Sequence, residues 1–483
     1  MHCPQNQWAN WLRTAICLLI ISSIPFFAFS QSEEPSPSLD SKVTINRIYL
    51  MGNKITKERI IYREFSFEEG QEWAPDDLVV ALELDKRKLM NLRLFNSASL
   101  EMVPVNEETV DVVVRLDERW YVWPTVTFDL GDRSFNEWWY NQGRDLSRIE
   151  YGGGVDWYNV RGANELLSLK AQLGFTEKLR MAYRFPYIDK EQVTGLWLEA
   201  SYTTSDAVNF NTDSNRQVFF SNGAINYQDL YFSTTITRRP DFYNTHFFKV
   251  TYNRRTISQE VADSNANYFL NGDTLQQYFR LQYQLSHDKR DFVSYPLEGQ
   301  LAVIGIRQQG LGIVSNFNRT SIYGEYTKYW SLGKNKRFFI ANRTSGRTSF
   351  PEVQPYNLMQ TLGYLKDYVR GYETTVVEGH HFLLNKTNFK YRILRQMINL
   401  GDWMPLKQFR KIPIDVYAKT YFDQAYVWHA NPRESNKALT NRYLYGTGFG
   451  LDFVTSYDAV FRLEYSRNHL NEWGLFAGFR ADF

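Results

Sequence analysis

The sequence predicts a mainly β protein: a transmembrane antiparallel β-barrel of about sixteen strands, preceded by one small β-α-α-β-β domain. Three observations predict it. From Tyr121 onward apolar side chains recur at every second residue, with charged or amide groups between them. The chain is rich in rings, with 34 Phe, 32 Tyr and 13 Trp, yet its mean hydropathy is below zero. After residue 30 no apolar run reaches the ~18 residues that a helix across a bilayer requires. Strands that face lipid on one side and a polar lumen on the other, with aromatic girdles at both interfaces, produce this combination.

Residues 1–30 read as a secretory signal. Arg13 closes a polar start, Thr14 to Phe29 is almost wholly apolar, and Ala28-Phe29-Ser30 supplies small residues for cleavage before Gln31. A membrane anchor is the competing reading, but the run is short for a span and acidic residues follow it. The only cysteines, Cys3 and Cys17, fall in this segment. The exported chain would then have no disulfide, thiol nucleophile or Cys-ligated zinc. A formal net charge of +2 gives no reason to expect nucleic acid as a partner. Residues 31–42, with Pro35, Pro37 and several Ser and Glu, form a linker.

Residues 43–118 form the small domain. Val43 and Ile45 open a strand that ends at Gly52-Asn53, and Thr56 is placed to cap a helix through Glu64, with Ile60 and Ile61 inward. Pro75-Asp76 opens a second helix, where Leu78, Val79, Leu82, Leu89 and Leu92 recur near helical spacing. Leu94-Phe95 leads into a strand to Val105, and Val110, Val112 and Val114 alternate in the next. Ile48, Gly52-Asn53, Thr56, Gly70, Leu92, Phe95 and Val114-Arg115-Leu116-Asp117-Glu118 make this segment resemble a POTRA domain, the periplasmic module of Omp85-family proteins.

Residues 119–483 carry the period of two. Leu167, Leu169, Ala171 and Leu173 alternate with Ser168, Lys170 and Gln172. Leu281, Tyr283 and Leu285 alternate with Gln282 and Gln284, and Phe461, Leu463 and Tyr465 with Arg462 and Glu464. Charges on the inward face exclude a dry core. Closure into a barrel satisfies every backbone donor and acceptor, as hydrocarbon demands.

Four patterns in this region resemble the Omp85 family. Asp288-Lys289-Arg290-Asp291, with Tyr295-Pro296 and Gly299, is similar to its D-x-R-D…P…G strand and turn. Val369-Arg370-Gly371-Tyr372 is similar to its VRGF/Y element, carried on a long extracellular loop folded back into the lumen. Tyr421-Phe422-Asp423 with Val427-Trp428 is similar to the following F-x-D-x-G strand, although Ala425 stands where glycine is usual. Phe476, Gly478, Ala481 and Phe483 resemble the C-terminal β-signal, Ala481 being small for its position. The strand after the loop motif often holds a glutamate that shares the arginine, but Asn385 to Tyr391 contains no acid. Asp423 is therefore the expected partner of Arg370. Gly371 lets the loop tip turn, and a charge-assisted bond from Arg370 to Asp423 would latch the loop inside the barrel.

The resemblance implies an outer-membrane factor, its N-terminal domain in the periplasm, that inserts β-barrel proteins or translocates polypeptides. Its implied partners are the outer-membrane bilayer, unfolded barrel or secreted clients, and periplasmic or lipoprotein accessories. No cofactor and no catalysis are expected: there is no G-x-S-x-G, and His380-His381 lacks a third ligand at metal spacing. The alternatives are a two-partner-secretion-like transporter, which usually has two POTRA units and a plug helix, and a passive outer-membrane channel.

Overall fold

A computed structural model of the protein describes residues 42–131, 137–315, 317–364, 366–401, 404, 410–455 and 459–478. The predicted signal segment, the linker up to Ser41, and Ala481 and Phe483 of the predicted C-terminal signal lie outside the described residues.

The N-terminal unit comprises β1 (Val43–Met51), α1 (Glu58–Tyr62), β2 (Glu72–Trp73), α2 (Pro75–Asn91), β3 (Phe95–Pro104) and β4 (Thr109–Glu118). Its sheet runs β2-β1-β4-β3, with β1 and β4 parallel and the other pairs antiparallel. The expected order gains one strand: β2 has only two residues, too few to show alternation. Pro75 sits in the first turn of α2, where its missing N–H removes nothing. Ile45, Val110, Val112 and Val114 from the sheet meet Ile60, Ile61, Leu78, Leu82 and Leu89 from the helices in one core.

Two expectations fail here. Val79 is exposed, and Ala81 is buried on the face Val79 was expected to share. Thr56 caps nothing: the N-cap of α1 is Lys57, without a side-chain bond. The Thr56 hydroxyl instead meets the Tyr121 hydroxyl at 3.0 Å and accepts from Asn159 Nδ2 at 2.9 Å. It has been drawn into the junction with the barrel.

The barrel begins with β5 (Val122–Leu130), β6 (Ile149–Tyr158), β7 (Leu166–Gly174), β8 (Glu177–Phe185) and β9 (Thr194–Ser205). A hairpin, β10 (Val208–Asp213) and β11 (Arg216–Phe220), precedes β12 (Tyr227–Arg238) and β13 (Asn244–Ile257). Helix α3 (Gln259–Ser264) leads to β14 (Leu275–Asp288), β15 (Gly299–Gln309), β16 (Arg319–Leu332) and β17 (Phe338–Phe350). A small hairpin, β18 (Gln360–Leu362) with β19 (Val377–Glu378), interrupts the path to β20 (His381–Asn399) and β21 (Lys411–Trp428). The chain then runs through β22 (Tyr443–Val454), β23 (Val460–Asn468) and β24 (Trp473–Gly478). Without the two hairpins these strands form a single 16-stranded sheet in which each pairs with its barrel neighbour in chain order, from β5 to β24. All its pairs are antiparallel, which short connections between successive strands require.

Alternation sorts the two faces. Leu169, Leu173, Leu281, Phe461 and Tyr465 are exposed on the outside, whereas Lys419, Asp423, Asp452 and Glu464 are buried within. Turns at one end of the barrel meet the N-terminal unit. Arg239 pairs with the buried Glu64 at 3.2 Å, Arg63 Nε donates to the Gln192 carbonyl at 3.1 Å, and Lys57 N donates to the Gly162 carbonyl at 2.9 Å. At the other end longer connections pack on one another, with Val208, Ile257, Val261, Tyr268, Phe269 and Tyr356 in one apolar cluster. Asn215 at the β10–β11 turn joins that cap, its side chain donating to the Val376 carbonyl at 3.2 Å.

Candidate functional site: a loop tip bound inside the barrel

The connection between β17 and β20, residues 351–380, dips into the lumen, and Arg370 at its tip is 0% exposed. Its guanidinium forks onto Asp423 of β21, with Nε to Oδ2 at 2.7 Å and Nη2 to Oδ1 at 2.5 Å. The Arg370 backbone N–H donates to the same carboxylate at 3.1 Å. The face of the guanidinium lies 3.7 Å from the centre of the Tyr421 ring, and the Tyr421 hydroxyl is fixed by Ser466 at 2.6 Å. Charge, fork geometry and ring stacking therefore act on one cation, a combination lysine cannot reproduce.

The expectation of a single partner needs correction. Arg370 Nη1 also donates to Glu464 of β23 at 3.2 Å. The acid missing from β20 is supplied three strands further along the sheet. Lys386, which does lie on β20, approaches Asp423 at 3.8 Å.

Close backbone approach completes the contact. Gly371 has φ +92°, a conformation that disfavours any side chain, and Asn468 Nδ2 donates to its carbonyl at 2.9 Å. Gly446 faces Asp423 in the ladder, and a Cβ on Gly446 would stand 1.9 Å from the Arg370 carbonyl oxygen. The loop can reach the wall because that residue has no side chain. Tyr372 is buried, its hydroxyl hydrogen-bonded to His469 Nδ1.

The wall continues the network toward the other end of the barrel. Lys419 bridges Glu464 at 2.9 Å and Asp452 at 2.6 Å. Asp452 Oδ2 accepts from the Tyr295 hydroxyl at 2.8 Å, and the Lys390 ammonium lies 4.1 Å over the Tyr295 ring. Tyr295 belongs to the turn after β14, so two motifs 70–80 residues apart in sequence are joined through buried charge. Within that turn Arg290 forks onto Asp288 at 2.8 and 2.6 Å. Asp291 Oδ1 accepts from the N–H groups of Phe292 at 2.9 Å and Leu297 at 3.0 Å. Burial lifts the Asp291 carboxyl above the ordinary carboxylate range in spite of those donors. Pro296 is buried beside Tyr295. Gly299 has φ +98°, and a Cβ there would stand 2.0 Å from the Lys289 carbonyl oxygen. These residues shape a turn.

At the C-terminal end Phe476 pairs with Glu464 and Gly478 with Arg462 across β23 and β24. A Cβ on Gly478 would meet the Arg462 guanidinium at 2.8 Å, so the glycine makes room for that cation. His380 and His381 lie at the capped end, with His380 Nε2 2.6 Å from the Glu352 carbonyl and His381 against Trp428. Among the described residues no three His, Cys, Asp or Glu side chains are grouped to hold a metal ion.

Sequence reasoning missed Glu464, Lys419, Asp452 and Gly446. The first three look like any lumen-facing polar residue of an alternating strand, and Gly446 like one more strand glycine.

A family model described as the Omp85 superfamily domain matches residues 159–473. No curated protein matches the chain by sequence. Among solved structures, BamA from Haemophilus ducreyi lacking POTRA domains 1-3 is similar with a TM-score of 0.52 at 15% identity, over 91% of this chain and 84% of that one. CdiB from Acinetobacter baumannii gives a TM-score of 0.50 at 14% identity, over 90% and 73%. At such identities these two likenesses are of fold. With the family match over most of its length, the chain belongs to the Omp85 superfamily, whose barrels are bacterial outer-membrane proteins.

Proposed function

We propose that this protein inserts β-barrel proteins into the outer membrane or passes polypeptides across it, by strand pairing and without covalent chemistry. The observation that carries the reading is the loop tip bound inside the lumen by buried charge. A passive channel gains nothing from filling its own pore.

Two sheet edges suit a client strand. In the N-terminal unit, read here as a single POTRA domain in the periplasm, β3 is an edge strand of ten residues. In the barrel, among the described residues, the sheet ends at β5 and at β24. An edge offers backbone donors and acceptors with little demand on client sequence, which suits a factor that handles many chains. Arg370, Gly371, Tyr372 and Asp423 serve as the latch that keeps the loop inside during this work.

Depletion followed by an outer-membrane protein inventory tests the proposal. Selective loss of barrel proteins supports insertion, and loss of surface or secreted polypeptides with barrels intact supports translocation. An unchanged inventory overturns both.

A further inference from the structure

The inner wall of β14–β17 carries a second concentration of charge, separate from the loop latch. Arg280, Arg307, Arg319 and Arg347 come one each from these four successive strands. Arg280 and Arg319 both face Gln309 in the ladder, Arg307 faces Gln282 and Ser321, and Arg347 faces Tyr323. All lie on the lumen face, since the residues that alternate with them, Leu281, Ile306 and Ile322, are exposed on the outside.

Their partners are neutral. Arg280 Nη2 donates to Asn253 at 3.1 Å and Arg307 Nε to Gln282 at 3.1 Å. Arg319 donates to Gln354 at 2.6 Å and to Gln309 at 2.8 Å. Arg347 donates to the Gln360 carbonyl. None of the four is in an ion pair among the described residues. Nearby Arg343, by contrast, is paired with Glu325 and Asp367, and Arg255 with Asp229.

The amides hold the guanidiniums in place and leave donors unused. Arg319 is 3% exposed, and its Nη2 has no protein acceptor. Arg280 Nε, Arg347 Nε and the hydroxyl of the fully buried Ser321 are in the same condition. Ser321 stands between Arg307, its ladder partner, and Arg319, two residues earlier on the same face. Like charges brought together on a partly desolvated wall repel, and orphaned donors add to that cost.

One kind of ligand answers both problems. A carboxylate is planar and its two oxygens are filled by one or two guanidiniums. A tetrahedral oxyanion presents oxygens in several directions and accepts forked guanidinium donors from each. We propose that this wall is a binding site for a phosphate group, held by Arg280, Arg307 and Arg319 with the Ser321 hydroxyl, and with Arg347 at its margin. The site does not depend on what the barrel's clients are.

The test uses the full chain in phosphate-free, non-ionic detergent, with the thermal unfolding midpoint as readout. Inorganic pyrophosphate is titrated against sodium chloride at matched ionic strength, and in a second arm phosphatidylglycerol is added to the micelles. A saturable rise with pyrophosphate assigns a free ion, and one seen only with phosphatidylglycerol assigns a lipid headgroup. In either case Arg319→Gln should weaken apparent affinity at least tenfold. Arg307→Gln should weaken it too, yet raise the ligand-free midpoint, because one of four repelling charges is gone. An arginine with a merely structural role would lower that midpoint. The proposal is overturned if neither probe exceeds chloride, if both variants respond as the parent does, or if a hexaglutamate peptide saturates the site in place of phosphate.

Discussion

Arg370→Ala removes the centre of the latch, and the structure sets the scale of the loss. Taking one partner out of a buried ion pair costs about 3–5 kcal/mol, because the other charge is left bare. Here the stranded groups are Asp423 and Glu464, both buried, but neither is abandoned. Lys386 stays 3.8 Å from Asp423 and Lys419 stays 2.9 Å from Glu464. The low end of the range applies, about 3 kcal/mol, which is roughly a hundredfold in the ratio of docked to undocked loop. A Val369→Cys background reports that ratio, since Val369 is 2% exposed and no cysteine follows Cys17. Labelling by a membrane-impermeant maleimide should be slow in that background and roughly a hundredfold faster with Arg370→Ala added. Arg370→Lys should fall between, keeping charge but losing the fork. If Arg370→Ala labels within about threefold of its background while the barrel stays folded, the ion pairs do not hold the loop and the reasoning fails.

Gly446→Ala should open the loop with every latch residue intact, because the new Cβ would stand 1.9 Å from the Arg370 carbonyl oxygen; maleimide labelling at position 369 reads this directly. Asp423→Asn should lower the heat-modification midpoint of the whole barrel more than Arg370→Ala does, since it withdraws the carboxylate from both Arg370 and Lys386. At the capped end, burial with help from His380 and Arg433 pushes the His429 imidazole down to about 4. The folded cap then binds fewer protons than the unfolded one below the ordinary value near 6.5, so its stability is full above that pH and is lost as pH falls through 4. Hydrogen exchange in residues 429–442, corrected for intrinsic rate, should therefore quicken on acidification in the parent and respond less in His429→Gln.

The barrel was legible because a lipid exterior and a polar lumen write themselves into every strand as a period of two. Leu169 and Leu281 lie where that alternation puts them, on the outside. The pairing of Arg370 with Asp423 could be anticipated because an arginine entering a barrel needs a carboxylate and β21 offered one. Glu464 could not, since it lies 94 residues from Arg370 and alternates with apolar neighbours like any lumen residue. The link from Tyr295 to Asp452 spans 157 residues and depends on where a turn folds under the wall. Thr56 failed as a cap for a related reason. Local capping chemistry is modest, and contact with Tyr121 and Asn159, 65 and 103 residues away, outweighed it. Val79 has helical spacing but faces solvent, because periodicity finds a stripe more reliably than its edges.

The latch is better understood as a chain of alternating charge than as one pair. Arg370 meets Asp423 and Glu464; Glu464 meets Lys419; Lys419 meets Asp452; and Asp452 meets Tyr295 in the turn at the other end. An isolated pair would confront loop withdrawal with the full desolvation of a bare carboxylate, several kcal/mol. In this arrangement the wall supplies its own cations, so withdrawal exchanges a forked, stacked guanidinium for ammonium groups already within 2.9–3.8 Å of the same acids. The reverse does not hold. Loss of Asp423 takes a carboxylate from two fully buried cations, Arg370 and Lys386, and the Glu464 that Arg370 still meets already serves Lys419 and Arg462. Each wall acid thus keeps a lysine within 3.8 Å when the loop arginine is gone. Under the proposed function the loop arginine is the removable member of the network, and Asp423 is part of the barrel's own structure.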